Sequence, residues 1–204
     1  MKKLISRRRI AAATAATALL LGAGVSSAQA CSYVNAKQVY SPWQDSRNYV
    51  LAPDGGFESG ASGWALRGGA HAVGGNESFY IHSAADGSSL ALPAGSSATS
   101  PAVCVALDTP VFRLMARNGG DPSSRLLITA SYKVLGISAV QTKVLNVVQA
   151  GNQWTPAQPM SVVLGLSTIV GTLIPSSIQI SATPLDNVGD WQVDDLYVDP
   201  FSRR

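Results

Sequence analysis

Two adjacent carboxylates, Asp194 and Asp195, sit inside an otherwise apolar run, Trp191-Gln-Val-Asp-Asp-Leu-Tyr-Val198. An extended chain alternates faces at every residue, so Gln192, Asp194, Leu196 and Val198 would share one face and Trp191, Val193, Asp195 and Tyr197 the other. Either way one carboxylate stands among large apolar side chains, where an ionised group is costly unless something compensates it. Calcium would do so: it takes about six to eight oxygen ligands from carboxylates and backbone carbonyls, and a glycine-rich turn such as Asp54-Gly-Gly56 presents its carbonyls freely. The competing reading is that both carboxylates accept hydrogen bonds from neighbouring loops and hold no metal.

A second chemistry open to the chain is stacking. Sugar rings offer apolar C–H faces to Trp and Tyr, and their hydroxyls need polar side chains around the stack. Trp43, Trp64, Trp154 and Trp191 all stand beside polar or turn residues, and Tyr80, Tyr132, His82, Arg113 and Arg117 fall on expected strands. Trp64, Tyr80 and Arg117 are the favoured ligand contacts. Against this, Trp191 opens a strand and would cap the core, and Arg113 and Arg117, on one strand face, could simply pair with Asp108 or Asp121.

Catalytic patterns are not legible. The chain has no G-x-S-x-G elbow, no H-E-x-x-H and no phosphate loop, and His71 and His82 lack metal-site spacing. A glycosidase would need two carboxylates across a cleft, and Glu58 and Glu77 are the only glutamates. The expectation is a binding protein, not an enzyme.

The elements that must position these groups are short strands. Charges are sparse, Gly, Ser, Thr, Ala and Val abound, and short apolar stretches alternate with turn signals such as Asn118-Gly-Gly-Asp-Pro122 and Asp186-Asn-Val-Gly189. Strands are expected at 78–82, 89–92, 102–106, 111–117, 126–134, 141–148, 178–183 and 191–198. The uncharged run 162–174 is too short to span a bilayer. It reads as a buried strand followed by a short helix, or as a helix packed across a sandwich edge, ended by Pro175.

The segments Asp54-Gly-Gly-Phe-Glu-Ser-Gly-Ala-Ser-Gly-Trp64 and Trp191-Gln-Val-Asp-Asp-Leu-Tyr-Val198 resemble the CenC-type carbohydrate-binding modules and the wider galactose-binding-like jelly rolls. Their first and last strands carry N/D-G-G-F-E-x-G…W and V-D-D-V/L-x-V. The resemblance implies an all-β jelly-roll sandwich and a structural calcium between Glu58 and Asp194, with Asp195, Asp54 and the carbonyl of Gly56 as further ligands. It also implies that Trp64 packs the sandwich. Asp54 departs from the family's usual Asn, either adding a ligand or serving the turn. Three other stretches, Cys31-Ser-Tyr33, Ser100-Pro-Ala-Val-Cys-Val105 and Phe112-Arg-Leu-Met-Ala-Arg-Asn118, resemble small exported proteins of high-GC Gram-positive bacteria.

Residues 1–30 read as an export leader: Lys2, Lys3 and Arg7 to Arg9, an apolar run from Ile10 to Val25, then Ala28-Gln-Ala30 as a cleavage site. Ser6-Arg-Arg8 leaves a twin-arginine route open beside general secretion. Cys31 at the cleavage point raises a lipoprotein, but Ala28 and Gln29 fit that signal poorly. The leader holds five of the 15 basic residues and none of the 12 acids, so residues 31–204 carry 10 − 12 = −2. That leaves no electrostatic footprint for nucleic acid. Residues 31–204 are expected to form one domain. Cys31 and Cys104, the only cysteines, are expected to pair in an oxidising compartment, closing a loop worth about 3 to 5 kcal/mol on a chain-entropy account. The functional expectation is a secreted module binding a polysaccharide or cell-wall glycan; the alternative is a surface or adhesion protein that contacts another protein.

Overall fold

The computed structural model describes residues 35–105, 109–133, 140–162 and 176–201. The expected leader at 1–30, Cys31 and the apolar run beyond Val162, with its expected helix, lie outside them. Val162 itself is buried.

In chain order the strands are β1 (Val50–Leu51), β2 (Ala65–Arg67), β3 (His71–Gly74), β4 (Ser88–Pro93), β5 (Ser97–Thr99), β6 (Val103–Val105), β7 (Val111–Asn118), β8 (Leu126–Lys133), β9 (Val140–Val148), β10 (Thr155–Pro156), β11 (Met160–Ser161), β12 (Ser176–Pro184) and β13 (Asp190–Asp199). One sheet runs β10-β7-β13-β4-β3, with β1 beside β13 and β11 beside β7. The other runs β2-β5-β12-β8-β9, with β6 beside β12. Every pairing among the described residues is antiparallel.

Alternation along the strands builds the core. Leu90 and Leu92 of β4 and Phe112, Leu114 and Ala116 of β7 meet Ile128 and Ala130 of β8 and Ile178 and Ile180 of β12. Each large side chain buried there contributes about 1.5 to 3 kcal/mol. The intervening residues of β7, Val111 and Met115, point the other way and join a second apolar cluster with Tyr40, Tyr49, Trp154 and Tyr197. The segment 37–49, closed by the Lys37–Tyr49 bridge and turned by the 3₁₀ stretch Ser41–Trp43, therefore lies over the outer face of the β7–β13 sheet.

Seven expected strands are present within a residue or two of their expected ends. The eighth, 78–82, is a loop. Glu77 is fully buried, and its carboxylate accepts the backbone N–H of Phe79 and of Ile81, each at 2.6 Å. With Tyr80 at φ 51°, the chain wraps that carboxylate and does not extend.

Candidate functional site

A bulge in β13 sets the chemistry. The register between β13 and β7 shifts between Asp194 and Tyr197, and Asp195 takes φ 50°. The extra residue reverses the parity of the strand. Trp191 and Val193 before it, and Leu196 and Val198 after it, all enter the main core, while Tyr197 turns to the outer cluster. Simple alternation had put Asp194 on the face of Leu196 and Val198, and the bulge is why it is not there.

Asp194 and Asp195 are both fully buried and differ in their partners. Asp194 accepts the backbone N–H of Glu77 at 2.9 Å and that of Asp195 at 2.8 Å. Burial, and then the charge of Asp195, still pushes its carboxyl up to about 9. Among the described residues, neither carboxylate oxygen of Asp195 has a hydrogen-bond partner. Burial, then Glu77, raises it to about 7, with His82 pulling the other way and Asp86 and Glu58 adding to the rise.

His82 and Asp86 stand in front of this orphaned carboxylate. His82 Nδ1 lies 2.6 Å from Asp86 Oδ2, and one ligand atom from each of His82, Asp86 and Asp195 falls within 4.8 Å of the others. Gly56 forms the back wall. A β-carbon there would come to 3.2 Å from Asp195 Oδ1, 3.9 Å from His82 Nδ1 and 4.0 Å from Asp86 Oδ2.

The five expected metal ligands thus part company. Asp195 and Gly56 meet at one point. Glu58 Oε1 accepts the N–H groups of Gly87 at 3.0 Å and Ser88 at 2.8 Å, pinning the start of β4 beside the cluster. Asp194 turns toward Glu77. Asp54, at φ 45°, accepts the N–H groups of Ser59 and Ser62 and so serves its own turn. The orphaned Asp195 carboxylate, with an acid and an imidazole before it, fits a bound divalent cation. The donor set includes a nitrogen, and so differs from the all-oxygen set expected for calcium. His82, which as a sequence position lacks metal-site spacing, and Asp86, legible only as a turn residue, come together because 78–82 is a loop and not the expected strand.

The three expected ligand contacts are also dispersed. Trp64 is half-buried against Phe57, with ring centroids 4.9 Å apart and its indole N–H on the carbonyl of Pro53 at 3.2 Å. Arg117 lies over the Trp154 ring and donates to Gln192 Oε1 at 2.8 and 3.1 Å. Tyr80 alone is presented to solvent, with neighbouring Phe79, on the loop that wraps Glu77. Phe79 meets Trp43 edge-on at 5.0 Å, and Trp43 borders an open cleft of about 450 Å³ whose polar lining includes Gln44, Arg47 and Gln158. Sequence reasoning had placed Trp43 only among the aromatic candidates, with no signal that the 3₁₀ stretch would bring it to Phe79.

Beneath the cleft, buried Arg113 donates to Asp45 Oδ2 at 2.9 Å and to the carbonyl of Ala157 at 2.9 Å, with its guanidinium 4.3 Å from the centre of the Tyr40 ring. Tyr49 donates to the same carboxylate at 2.8 Å, and Arg47 to its other oxygen at 3.0 Å. This network fixes the segment that carries Trp43.

The fold of two packed antiparallel sheets is matched among solved structures by carbohydrate-binding modules. The CBM22-1–GH10 modules of Clostridium thermocellum endo-1,4-beta-D-xylanase 10B, complexed with xylohexaose, superpose with a TM-score of 0.51 at 12% identity, covering 72% of this chain and 28% of that one. The CBM22-1–CBM22-2 tandem of Paenibacillus barcinonensis Xyn10C gives 0.50 at 14% identity, over 78% of this chain and 46% of that one.

The fold is that of a jelly-roll carbohydrate-binding module.

The chain spans less than half of either match, and the likeness extends to the fold alone. No family model matches the sequence, and no curated protein matches it either. Within this jelly roll, the Phe79–Tyr80 loop and the Trp43 cleft lie over the β7–β13 sheet, and the His82–Asp86–Asp195 cluster lies where β13 bulges.

Proposed function

We propose that the protein is a secreted, non-catalytic module that binds a polysaccharide, with Trp43, Phe79 and Tyr80 as the stacking surface and the polar cleft beside Trp43 receiving hydroxyls. The observation that carries this reading is the exposure of Phe79 and Tyr80, 49% and 52%, on a loop held by a buried glutamate. Phe79 gains only its edge contact with Trp43, which leaves half of the residue in water, whereas a rigid aromatic pair beside polar groups suits a sugar face. Xylan is the first probe, since the matched xylanase modules were solved with xylohexaose.

The test is depletion of the purified protein from solution by xylan, galactan, cellulose and cell-wall preparations. Retention on one glycan that Tyr80→Ala abolishes supports the reading; uniform failure to be retained refutes it. Part of the same reading is export with cleavage after Ala30 and a Cys31–Cys104 disulfide, with Cys104 on β6. N-terminal sequencing of the exported protein should begin at Cys31, and thiol reagents should label it only after reduction.

A second reading, a protein contact, is favoured by Val140, Val144 and Val147, all exposed on β9. Such a strand can accept an added strand from a partner. Retention on a cell-surface protein fraction, abolished by Val144→Lys and unaffected by Tyr80→Ala, would select it.

A further inference from the structure

We propose that His82, Asp86 and Asp195 form a binding site for a divalent transition metal of the zinc class, held at the β13 bulge against Gly56. The inference is independent of glycan binding and rests on four features of the site.

Asp195 is the first. Its side chain is fully buried, and both carboxylate oxygens lack any partner, an arrangement that costs several kcal/mol for an ionised group left alone. The bulge that puts it there also costs backbone strain, because a non-glycine residue at φ 50° is disfavoured. A hydrogen-bonding role would show a donor, and none stands there among the described residues.

The second is convergence. His82 and Asp86 come from the loop before β4, Asp195 from the last strand, and their ligand atoms gather within 4.8 Å. The His82–Asp86 contact satisfies those two side chains and leaves Asp195 unanswered, so an ion pair between the loop residues does not explain the cluster.

The third is space and access. Gly56 withholds a side chain at the one place where a β-carbon would approach all three ligand atoms. His82 is 40% exposed and Asp86 8%, so the cluster grades from a buried anion to an open imidazole, and a cation can enter from solvent.

The fourth is donor chemistry. Calcium takes hard oxygen ligands, whereas imidazole nitrogen with carboxylate oxygen suits zinc and its neighbours. Glu58, which could have added oxygen, spends Oε1 on two backbone amides. An imidazole nitrogen is the donor that separates these two metal classes, and His82 places one in the cluster.

The experiment uses untagged purified protein stripped with chelator and dialysed. Zinc and calcium are titrated separately, reading melting temperature and heat of binding. Zinc should raise the melting temperature in proportion to RT ln(1 + [L]/Kd) and bind at one site per chain. His82→Gln, which alters an exposed side chain and so should fold, should abolish that zinc response. His71→Gln, changing the other histidine, exposed on β3, should retain it. Asp195→Asn should abolish the response as well. Stabilisation by calcium with no effect of zinc would overturn the proposal, as would a zinc response that survives His82→Gln or is lost in His71→Gln. Absence of binding by either ion would also overturn it, and none of these outcomes bears on retention by glycans.

Discussion

The backbone N–H of Glu77 donates to Asp194 Oδ2 at 2.9 Å, joining the aromatic loop to the last strand across 117 positions of sequence. The side chain of Glu77 then holds the N–H groups of Phe79 and Ile81. Glu77→Gln keeps one acceptor and turns an NH₂ group toward the second amide. A buried amide left without its acceptor costs about 1 to 3 kcal/mol, so urea unfolding should show a loss of that order. Retention on the glycan should fall together with stability, because the same bonds set the direction of Phe79 and Tyr80. A variant that unfolds earlier yet binds fully would show that the loop is not held by this carboxylate.

The acids of this fold pull stability in opposite directions with pH. Asp194 and Asp195 are raised to about 9 and about 7, burial being the main cause. An unfolded aspartate titrates at about 3.9, so the folded chain retains protons that the unfolded chain releases. The stability linked to them is fully present below about pH 4 and is lost as pH climbs through their folded values. Asp45 behaves oppositely: burial pushes it up, but hydrogen bonds from Tyr49, Arg47 and Arg113 outweigh this and hold it below the usual range. Its contribution is present above about pH 4 and lost as pH falls below that. Thermal melts in chelator should therefore peak in mild acid and decline toward pH 9. A melting temperature that stays level or rises from pH 5 to 9 would contradict the burial of the Asp194–Asp195 pair.

Arg113 and Asp45, with side chains 4% and 3% exposed, anchor the segment 37–49 over the sheet. Removing one member of a fully isolated buried pair costs about 3 to 5 kcal/mol. Arg113→Met leaves Asp45 the half-exposed Arg47 and the Tyr49 hydroxyl, so urea unfolding should show a loss below that range. The double variant Arg113→Met with Asp45→Asn should recover part of it, since no buried charge is then left unpaired and Arg47, its side chain 42% exposed, keeps its charge in water. If the double variant is the worse of the two by the sum of the single effects, the two residues act independently and the ion pair contributes nothing.

What could be read in the sequence was set by periodicity. Strands β4, β7, β8, β9, β12 and β13 each carry six to ten residues of alternating or continuous apolar character, enough for the pattern to exceed its noise. Strands of two residues, such as β1, β10 and β11, have too few positions to alternate and exist only because a long neighbour offers a free edge. The two motifs do bring Gly56 and Asp195 together, as their places in the first and last segments of the resemblance imply. Which carboxylate faces Gly56 depended on a single bulged residue, and alternation carries no trace of an insertion. His82 and Asp86 were hidden for a related reason: the loop turns on Glu77, a polar residue whose burial follows from Asp194 accepting its N–H from a strand more than a hundred positions away.

Trp64 and Tyr80 are both favoured contacts in the sequence, although the resemblance implies that Trp64 packs the sandwich, and the structure separates them into packing and exposure. Trp64 seats its ring against Phe57 beside the core, so Trp64→Ala should cost about 2 to 4 kcal/mol, somewhat below a full core truncation, while leaving glycan retention of the folded fraction unchanged. Tyr80 projects into solvent, and its φ of 51° is as strained for alanine as for tyrosine, so Tyr80→Ala should leave the melting temperature within about a degree of its original value. The same change should remove retention, because an aromatic face is lost where a sugar would stack, and Tyr80→Phe should restore most of it. Running both variants in one depletion assay with parallel melts decides the matter. If Trp64→Ala abolishes retention at temperatures where it remains folded, while Tyr80→Ala binds normally, the ligand lies at the Trp64 end of the sandwich and the Phe79–Tyr80 loop serves another contact.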